Sequence, residues 1–403
     1  MIDPSLPGFE ETWEPGRALE LLNRVLDVEP GWEVVDLALD RIRHSPGIRG
    51  IVHYRGHLGD GSDLQEFWIA GSVYSDGRSL AHAHKLAHCP SALGPSLRSL
   101  VAFDSFFGML WQVFPLDRRL PDLHRAYSNP TLLGADSLHP VRHRLGLSAT
   151  VKIAVEGQSK YAKFHRQGEA VAALERGRLL AKLKSTGFSL PEAVEGLEAT
   201  VTSGMTGVSL DRHPAIGDLV ARLAAHLTEL HALSPVGLED VSGTPARRAH
   251  RAVDWLRLVL PELDPLITKL VNGPWPEGGD QLVHGDLKPD HVFISQGELR
   301  MIDVDSAGRG RGLSDLAQLF VRLANRDAAE RFRDDYFAIG VDKRGWSGEL
   351  AMASLQLALF YAQHRPPDWR LMVERIMESA ATAEVAGSVI EEAGDCAGLS
   401  DLV

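Results

Sequence analysis

The stretch Leu282 to Ile294, LVHGDLKPDHVFI, sets His284, Asp286, Lys288 and His291 on a polar loop between two short apolar runs. The next apolar run ends in MIDVDSAG, which puts Asp303 and Asp305 at its tip. Side chains alternate along a strand, so these two carboxylates are expected on one face, and a hairpin would bring them toward Asp286. Three carboxylates in one small region repel one another unless a cation sits among them, which points to magnesium. Phosphoryl transfer makes the same demands: a carboxylate near the attacking hydroxyl and metal ligands near the phosphates.

HGDLKPDHVFI, followed by IDVDSAG and SDLAQLF, resembles the aminoglycoside phosphotransferase and choline kinase group of kinase-like enzymes. The resemblance implies an α+β, bilobal protein-kinase-like fold with a β-rich N-lobe and a mainly helical C-lobe. It implies ATP and Mg2+ as cofactors and a small-molecule hydroxyl as acceptor. Asp286 would accept the hydroxyl proton and Asp303 would chelate magnesium, with Asp305 beside it. HGDLKP also resembles the catalytic loop of Ser/Thr kinases, whose Lys, here Lys288, approaches the γ-phosphate; a structural salt bridge is the other reading of Lys288. His291 occupies the position of the group's metal-binding Asn, although magnesium prefers oxygen ligands. Asp315, in SDLA, would hold the loop to the C-lobe. Gly285 favours this group over protein kinases, which usually carry Arg there. Upstream, KYAKFHR resembles the strand with the phosphate-binding lysine, here Lys163, and Glu175 in the next helix would be its ion-pair partner. Arg144 to Thr150 would cover the phosphates, though it holds a single glycine. Ser203, Gly204 and Met205 resemble the hinge that meets adenine. The resemblance spans residues 140 to 380.

These residues need elements to hold them. Thr150 to Val155 and Ser159 to Phe164 read as a hairpin around Glu156, Gly157 and Gln158, followed by a helix from Glu169 to Leu183 and a strand from Leu197 to Ser203. Ala221 to Leu233 has helical periodicity and includes LTELHAL, similar to the first long C-lobe helix of the group. Before these lie a helix from Trp13 to Leu26, strands from Ile51 to Tyr54 and Phe67 to Tyr74, and a helical stretch from Ser96 to Val113 in which Phe103, Phe106, Phe107 and Trp111 would pack the core. Tyr127 to Pro140 has linker composition. The expected organisation is an additional N-terminal α/β domain over 1–130, a nucleotide-binding N-lobe over 131–207 and a helical C-lobe over 208–403. IRHSPG (Ile42 to Gly47) resembles VRHRLG (Val141 to Gly146), and AGSVYSDG then aligns with YAKFHRQG, setting Ser72 at the place of Lys163. One reading is a duplicated N-lobe-like unit whose first copy has lost its lysine.

Composition narrows the rest. The 403 residues are 44% apolar and 24% charged, with a formal net charge of -12, which argues against a nucleic-acid partner. Cys89 and Cys396 are the two cysteines, so no disulfide framework is expected. The acidic, Pro/Gly-rich start lacks a secretory pattern and no apolar run reaches membrane-span length, so the expected location is cytoplasmic, away from any membrane. His82, His84, His88 and Cys89 read as a surface histidine cluster. Arg309 and Arg311 read either as phosphate contacts or as solvated loop residues. The acidic stretch after Arg375 reads as a solvated helix and tail. A pseudokinase that senses nucleotide, and a nucleotidyl transferase on the same fold, are the alternative readings.

Overall fold

Gly47 and Gly146, both at φ +70°, let the chain reverse after IRHSPG and VRHRLG and so begin two five-stranded antiparallel sheets. The computed structural model describes residues 3–86, 96–155, 157–181, 187–213, 216–273, 275–295 and 298–382. His88, Cys89, Cys396 and the acidic tail beyond residue 382 lie outside the described residues.

The first unit runs α1 (Pro15–Val25), β1 (Glu33–Ser45), β2 (Arg49–Gly59), β3 (Leu64–Tyr74), α2 (Ser79–Leu86), β4 (Val101–Asp104) and β5 (Met109–Val113), with strand order β1-β2-β3-β5-β4. Helix α3 (Pro121–Ser128) leads to β6 (Leu138–Arg144), β7 (Ser148–Val155), β8 (Gln158–Phe164), α4 (Glu169–Leu180), β9 (Gly187–Phe188), β10 (Glu192–Ala193) and β11 (Ala199–Ser203). Here the order is β6-β7-β8-β11-β10, the same topology with a helix after the third strand. The registers also correspond. Arg43 faces Ile51, which faces Ser72, which faces Leu110; in the second sheet Arg142 faces Thr150, which faces Lys163, which faces Thr200.

The helical stretch expected over Ser96 to Val113 is instead the β4–β5 hairpin. Trp111 is fully buried there, whereas Phe106 sits at the turn and is 84% exposed, so its apparent helical spacing does not mark a buried face. The segment expected as a linker holds the end of α3 and a 3-10 turn, Pro130–Leu133.

The helical lobe comprises β12 (Val208–Ser209), α5 (Ile216–Ala232), α6 (Thr244–Val259), α7 (Asp264–Val271), β13 (Gln281–Val283), β14 (Val292–Ser295), β15 (Glu298–Met301), β16 (Gly308–Gly310), α8 (Gly312–Phe320), α9 (Arg326–Ala338), α10 (Trp346–His364) and α11 (Trp369–Thr382). The chain is thus an α+β kinase-like fold, β-rich first and mainly helical after. Helix α10 is apolar on most sides and correspondingly buried, with Leu350, Met352, Leu355, Leu357 and Ala358 in the core.

The first unit does not hang free. Its core is continuous with that of the helical lobe, and Trp13 packs edge-on against Trp255 of α6 at 6.3 Å. Trp255 Nε1 donates to His44 Nδ1 at 3.0 Å, and the opposite ring nitrogen of His44 meets Asp3 at 2.7 Å. The second sheet has its own core, built from Val151, Ile153, Ala162 and Phe164 together with Leu120, Leu123 and Ala126 of the α3 segment. Among the described residues no helix is long and apolar enough to cross a membrane.

Candidate active site

Strand β13 delivers the HGD loop and the β14–β15 hairpin returns the chain to it, with Val292 opposite Met301. Gly285 has φ +77°, and a Cβ there would lie 2.2 Å from the Ser306 carbonyl oxygen, so a side chain at this position is excluded twice over. Asp315 on α8 is fully buried and pins the loop: its carboxylate accepts from His284 N–H at 2.6 Å and Gly285 N–H at 2.9 Å. His231 Nε2 approaches the same carboxylate at 3.2 Å, while Tyr336 Oη meets His231 Nδ1 at 2.7 Å. His284 in turn donates from Nε2 to the Ile302 carbonyl at 2.9 Å. The loop is therefore fixed from two sides before any substrate arrives.

Asp286 points between two cations, Lys288 Nζ at 3.2 Å and Arg248 Nη1 at 3.3 Å. Burial pushes its pKa up, but Lys288, Arg248 and His291 outweigh that and hold the carboxyl well below the usual range. Arg248 comes from α6, 38 residues before Asp286, and no sequence pattern marked it. Asp303 has φ +56°, a left-handed conformation that Asp tolerates better than most residues. Consequently Asp303 and Asp305 do not share a strand face as expected. Strand β15 ends at Met301, and a 3-10 turn over Val304–Ser306 carries Asp305. The turn nonetheless brings both to Lys163 Nζ, at 2.8 Å and 2.5 Å. Those pairs cross from the second sheet to the helical lobe.

The ion pair expected between Lys163 and Glu175 is absent. Helix α4 buries Ala170, Ala173, Gly177 and Leu180, and Glu175 falls on the opposite, exposed face. Asp286, His291 and Asp303 converge instead, with ligand atoms all within 4.8 Å of one another. Asp305, expected as a metal ligand, is not in that group because its carboxylate turns to Lys163. His291 is buried, and burial, then the charge of Lys288, pushes its pKa down to about 4. The neutral ring sets Nδ1 at 2.9 Å from the Asp286 carbonyl, which can only accept, so the proton is on Nδ1. Nε2 keeps its lone pair, 3.8 Å from Asp303 and 3.7 Å from Asp290. Two carboxylates and an imidazole presenting a lone pair are a donor set that fits a divalent cation.

At the end of β11, Gly204 N–H donates to the Ser159 carbonyl, and the Ser203 carbonyl accepts from Ser189 Oγ at 3.2 Å. Met205 next to them is half-buried.

The turn between β6 and β7, expected to cover phosphates, is held by Asp117 and by residues of the first sheet. Asp117 Oδ2 accepts from Gly146 N–H at 2.6 Å and stands 3.2 Å from His143 Nε2. His53 Nε2 accepts from Leu145 N–H at 3.1 Å, and Arg43 donates to the Leu145 carbonyl at 3.0 Å. Burial, then His143, holds the His53 pKa well below the usual histidine value, so the ring remains neutral and able to accept. The Leu145 side chain packs on Ile51 and Ala70, the sheet face that bears Ser72. Thus the first sheet, at the place where the second offers Lys163, receives the neighbouring turn.

The device occurs twice. Asp3 accepts from Gly47 N–H at 2.9 Å and meets His44, as Asp117 does Gly146 and His143. DPSLP from Asp3 and DRRLP from Asp117 share D-x-x-L-P, a signal in the sequence that the motif reading passed over.

Of the remaining candidates, Arg309 pairs with Asp240 at 2.9 Å, and Arg311 with Glu349 at 3.2 Å, so both have structural partners. His82 packs edge-on against Tyr74 and His84 is exposed.

No curated protein matches this chain. Among solved structures, it is similar to the aminoglycoside phosphotransferase APH(3'')-Id from Streptomyces rimosus (22% identity, 56% of this chain and 97% of that one, TM-score 0.43). It is also similar to a choline kinase from Streptococcus pneumoniae (15% identity, 65% and 99%, TM-score 0.47). An amicoumacin kinase in complex with AMP-PNP, Ca2+ and its ligand is a third (12% identity, 66% and 97%, TM-score 0.48). A family model described as the phosphotransferase enzyme family matches residues 141–351, just over half of the chain, from the second sheet's first strand through the HGD loop and α8 into α10. The chain belongs to the phosphotransferase enzyme family.

Proposed function

We propose that this protein transfers the γ-phosphate of ATP to a hydroxyl of a small molecule. The observation that carries the reading is the convergence of Asp286, His291 and Asp303, with Lys163 reaching Asp303 from the other lobe. Asp286 is ionised at neutral pH and takes the acceptor's proton. A weak base suits a loose transition state, in which the proton leaves late and positioning matters most. Lys288 balances charge on the transferring group, and Lys163 holds the nucleotide phosphates. Asp303 and His291 would hold the magnesium, with Asp286 adjoining. When bound, the ion neutralises phosphate oxygens. The hinge at Ser203 and Met205 receives adenine. Glu175, exposed on α4, has no part in this assignment.

The test is ADP release with Mg2+ and ATP over a panel of hydroxylated acceptors, beside Asp286→Asn. The variant should lose about 10²- to 10⁴-fold in turnover and keep AMP-PNP binding. Wild-type turnover in the variant would remove Asp286 from the mechanism. Pyrophosphate with an AMP-bearing product would instead identify nucleotidyl transfer.

The organisation proposed with it is a tandem one: a first copy over residues 3–113 without the lysine, and a nucleotide-binding copy over 117–203. Its supports are the matching strand order, the matching registers and the repeated Asp–His–Gly device. The boundary then falls near residue 116 rather than 130, because α3 packs into the second sheet's core.

A further inference from the structure

Three half-buried arginines near the catalytic loop, Arg41, Arg142 and Arg144, have no carboxylate at ion-pair distance among the described residues. Arg41 follows an extra residue in β1 and Arg142 follows one in β6, two bulges of the kind that re-aim side chains. Arg41 and Arg43 project from one face of β1, and Arg142 and Arg144 from one face of β6. Arg41 Nε lies 3.1 Å from His364 Nε2 at the end of α10. His364 also feels Arg142 and Lys288. Arg144 bonds Ser148 Oγ at 3.0 Å and lies within electrostatic reach of Asp303, Asp286 and Asp305. Both sheets, α10 and Lys288 of the catalytic loop thus contribute to one basic region, and Arg144 brings it within electrostatic reach of Asp286.

Among the described residues, Arg41, Arg142 and Arg144 make no ion pair with a carboxylate. Asp40, next to Arg41 in the chain, is taken by Arg55 at 2.8 Å. Like charges held together and partly out of water are unfavourable. Burial, followed by repulsion from Arg142 and Arg144, brings the pKa of Arg41 down to about 9. Guanidinium forks match the planar or tetrahedral oxygens of carboxylate and phosphate, whereas an amine there would be repelled.

We propose that the acceptor is an anionic hydroxy compound whose phosphate or carboxylate is held by Arg41 and Arg142, with Arg144 alongside, while its hydroxyl faces Asp286. The inference rests on the phosphotransferase reading and names the class of acceptor within it. ATP is the other source of oxyanions, but Lys163 reaches Asp303 and Asp305, whereas Arg41 is anchored on α10.

The test reads binding, not turnover. With AMP-PNP and Mg2+ saturating, thermal unfolding is followed with inorganic phosphate, gluconate or 2-deoxystreptamine added, for the wild type, Arg142→Gln and the Arg41→Gln/Arg142→Gln double variant. At a hundredfold excess over its dissociation constant, phosphate or gluconate should raise the wild-type midpoint by about 3 °C. Phosphate alone assigns a phosphorylated acceptor, and gluconate alone a carboxylated one. The variants should start at a higher midpoint, since repulsion is relieved, and lose the shift. The inference is overturned if neither anion shifts the midpoint, if only 2-deoxystreptamine does, or if the shift persists in both variants. A tenfold loss of AMP-PNP affinity in Arg142→Gln would also overturn it, by assigning the arginines to the nucleotide. A retained anion shift in a protein that releases no ADP with any acceptor would count against phosphoryl transfer and leave this site standing.

Discussion

Replacing Asp117 with asparagine cuts its tie to the β6–β7 turn and leaves those of His53 and Arg43 from the first sheet in place. The Asp117 carboxylate is buried and meets three donors: Gly146 N–H at 2.6 Å, His143 at 3.2 Å and Arg119 N–H at 2.9 Å. Asparagine keeps one oxygen, and its amide nitrogen must then face a donor. Losing one charge-assisted hydrogen bond costs about 1.5 to 3 kcal/mol, and stranding a buried donor about 1 to 3 kcal/mol. The expected loss of stability is about 3 to 5 kcal/mol, read from urea midpoints with the slope unchanged. If the turn covers ATP phosphates, AMP-PNP affinity should fall roughly tenfold as well, equivalent to about 1.4 kcal/mol. Asp3→Asn is the control, because Asp3 makes the same bonds to the β1–β2 turn of the first sheet. It should lower stability and leave AMP-PNP affinity alone. A loss below about 1 kcal/mol in Asp117→Asn would refute the three-donor account. A full loss with unchanged AMP-PNP affinity would refute the phosphate-covering role.

Two other perturbations have definite signs. Asp315→Asn strands a donor on the HGD loop and, on the proposal that this loop serves the acceptor and not adenine, should lower turnover more than a hundredfold with AMP-PNP affinity within about threefold; near-normal turnover would show that the loop holds its shape without this anchor. Glu349 is 3% exposed, and burial lifts its pKa to about 7 despite Arg311. The folded state therefore keeps a proton that the unfolded chain releases near 4.5, so stability is present below that pH and falls as pH rises through about 7. The fall is on the order of 3 kcal/mol, and Glu349→Gln should flatten it; identical pH slopes of the urea midpoint in the two proteins would contradict this.

Much of the site was legible because it is local. HGDLKPDHVFI and IDVDSAG each lie within one strand–loop passage, so Asp286, His291 and Asp303 could be named from spacing and likeness. The β14–β15 hairpin that joins them is short, and short hairpins announce themselves by turns. Asp315 was legible for the same reason, as part of a compact motif. Misreadings arose where periodicity was ambiguous. Phe103, Phe106, Phe107 and Trp111 fit a helical period, yet the chain reverses at Gly108 and the segment pairs as strands. Asp303 and Asp305 fit strand alternation, but the strand stops two residues before Asp303.

Sequence alone marked the HGDLKPDHVFI and IDVDSAG passages, the glycine at 285 and the likeness of IRHSPG to VRHRLG, because loop motifs and short-range pairing are written in neighbouring residues. Tertiary structure decided which charges meet. Lys163 finds Asp303, 140 residues away, rather than Glu175, because α4 turns that glutamate to solvent. Arg248 finds Asp286, and Arg41 finds His364 across 323 residues. A charge has no preferred partner until folding sets distance and burial, and here folding gathers Arg41 and Arg142 from two sheets about His364 at the end of α10.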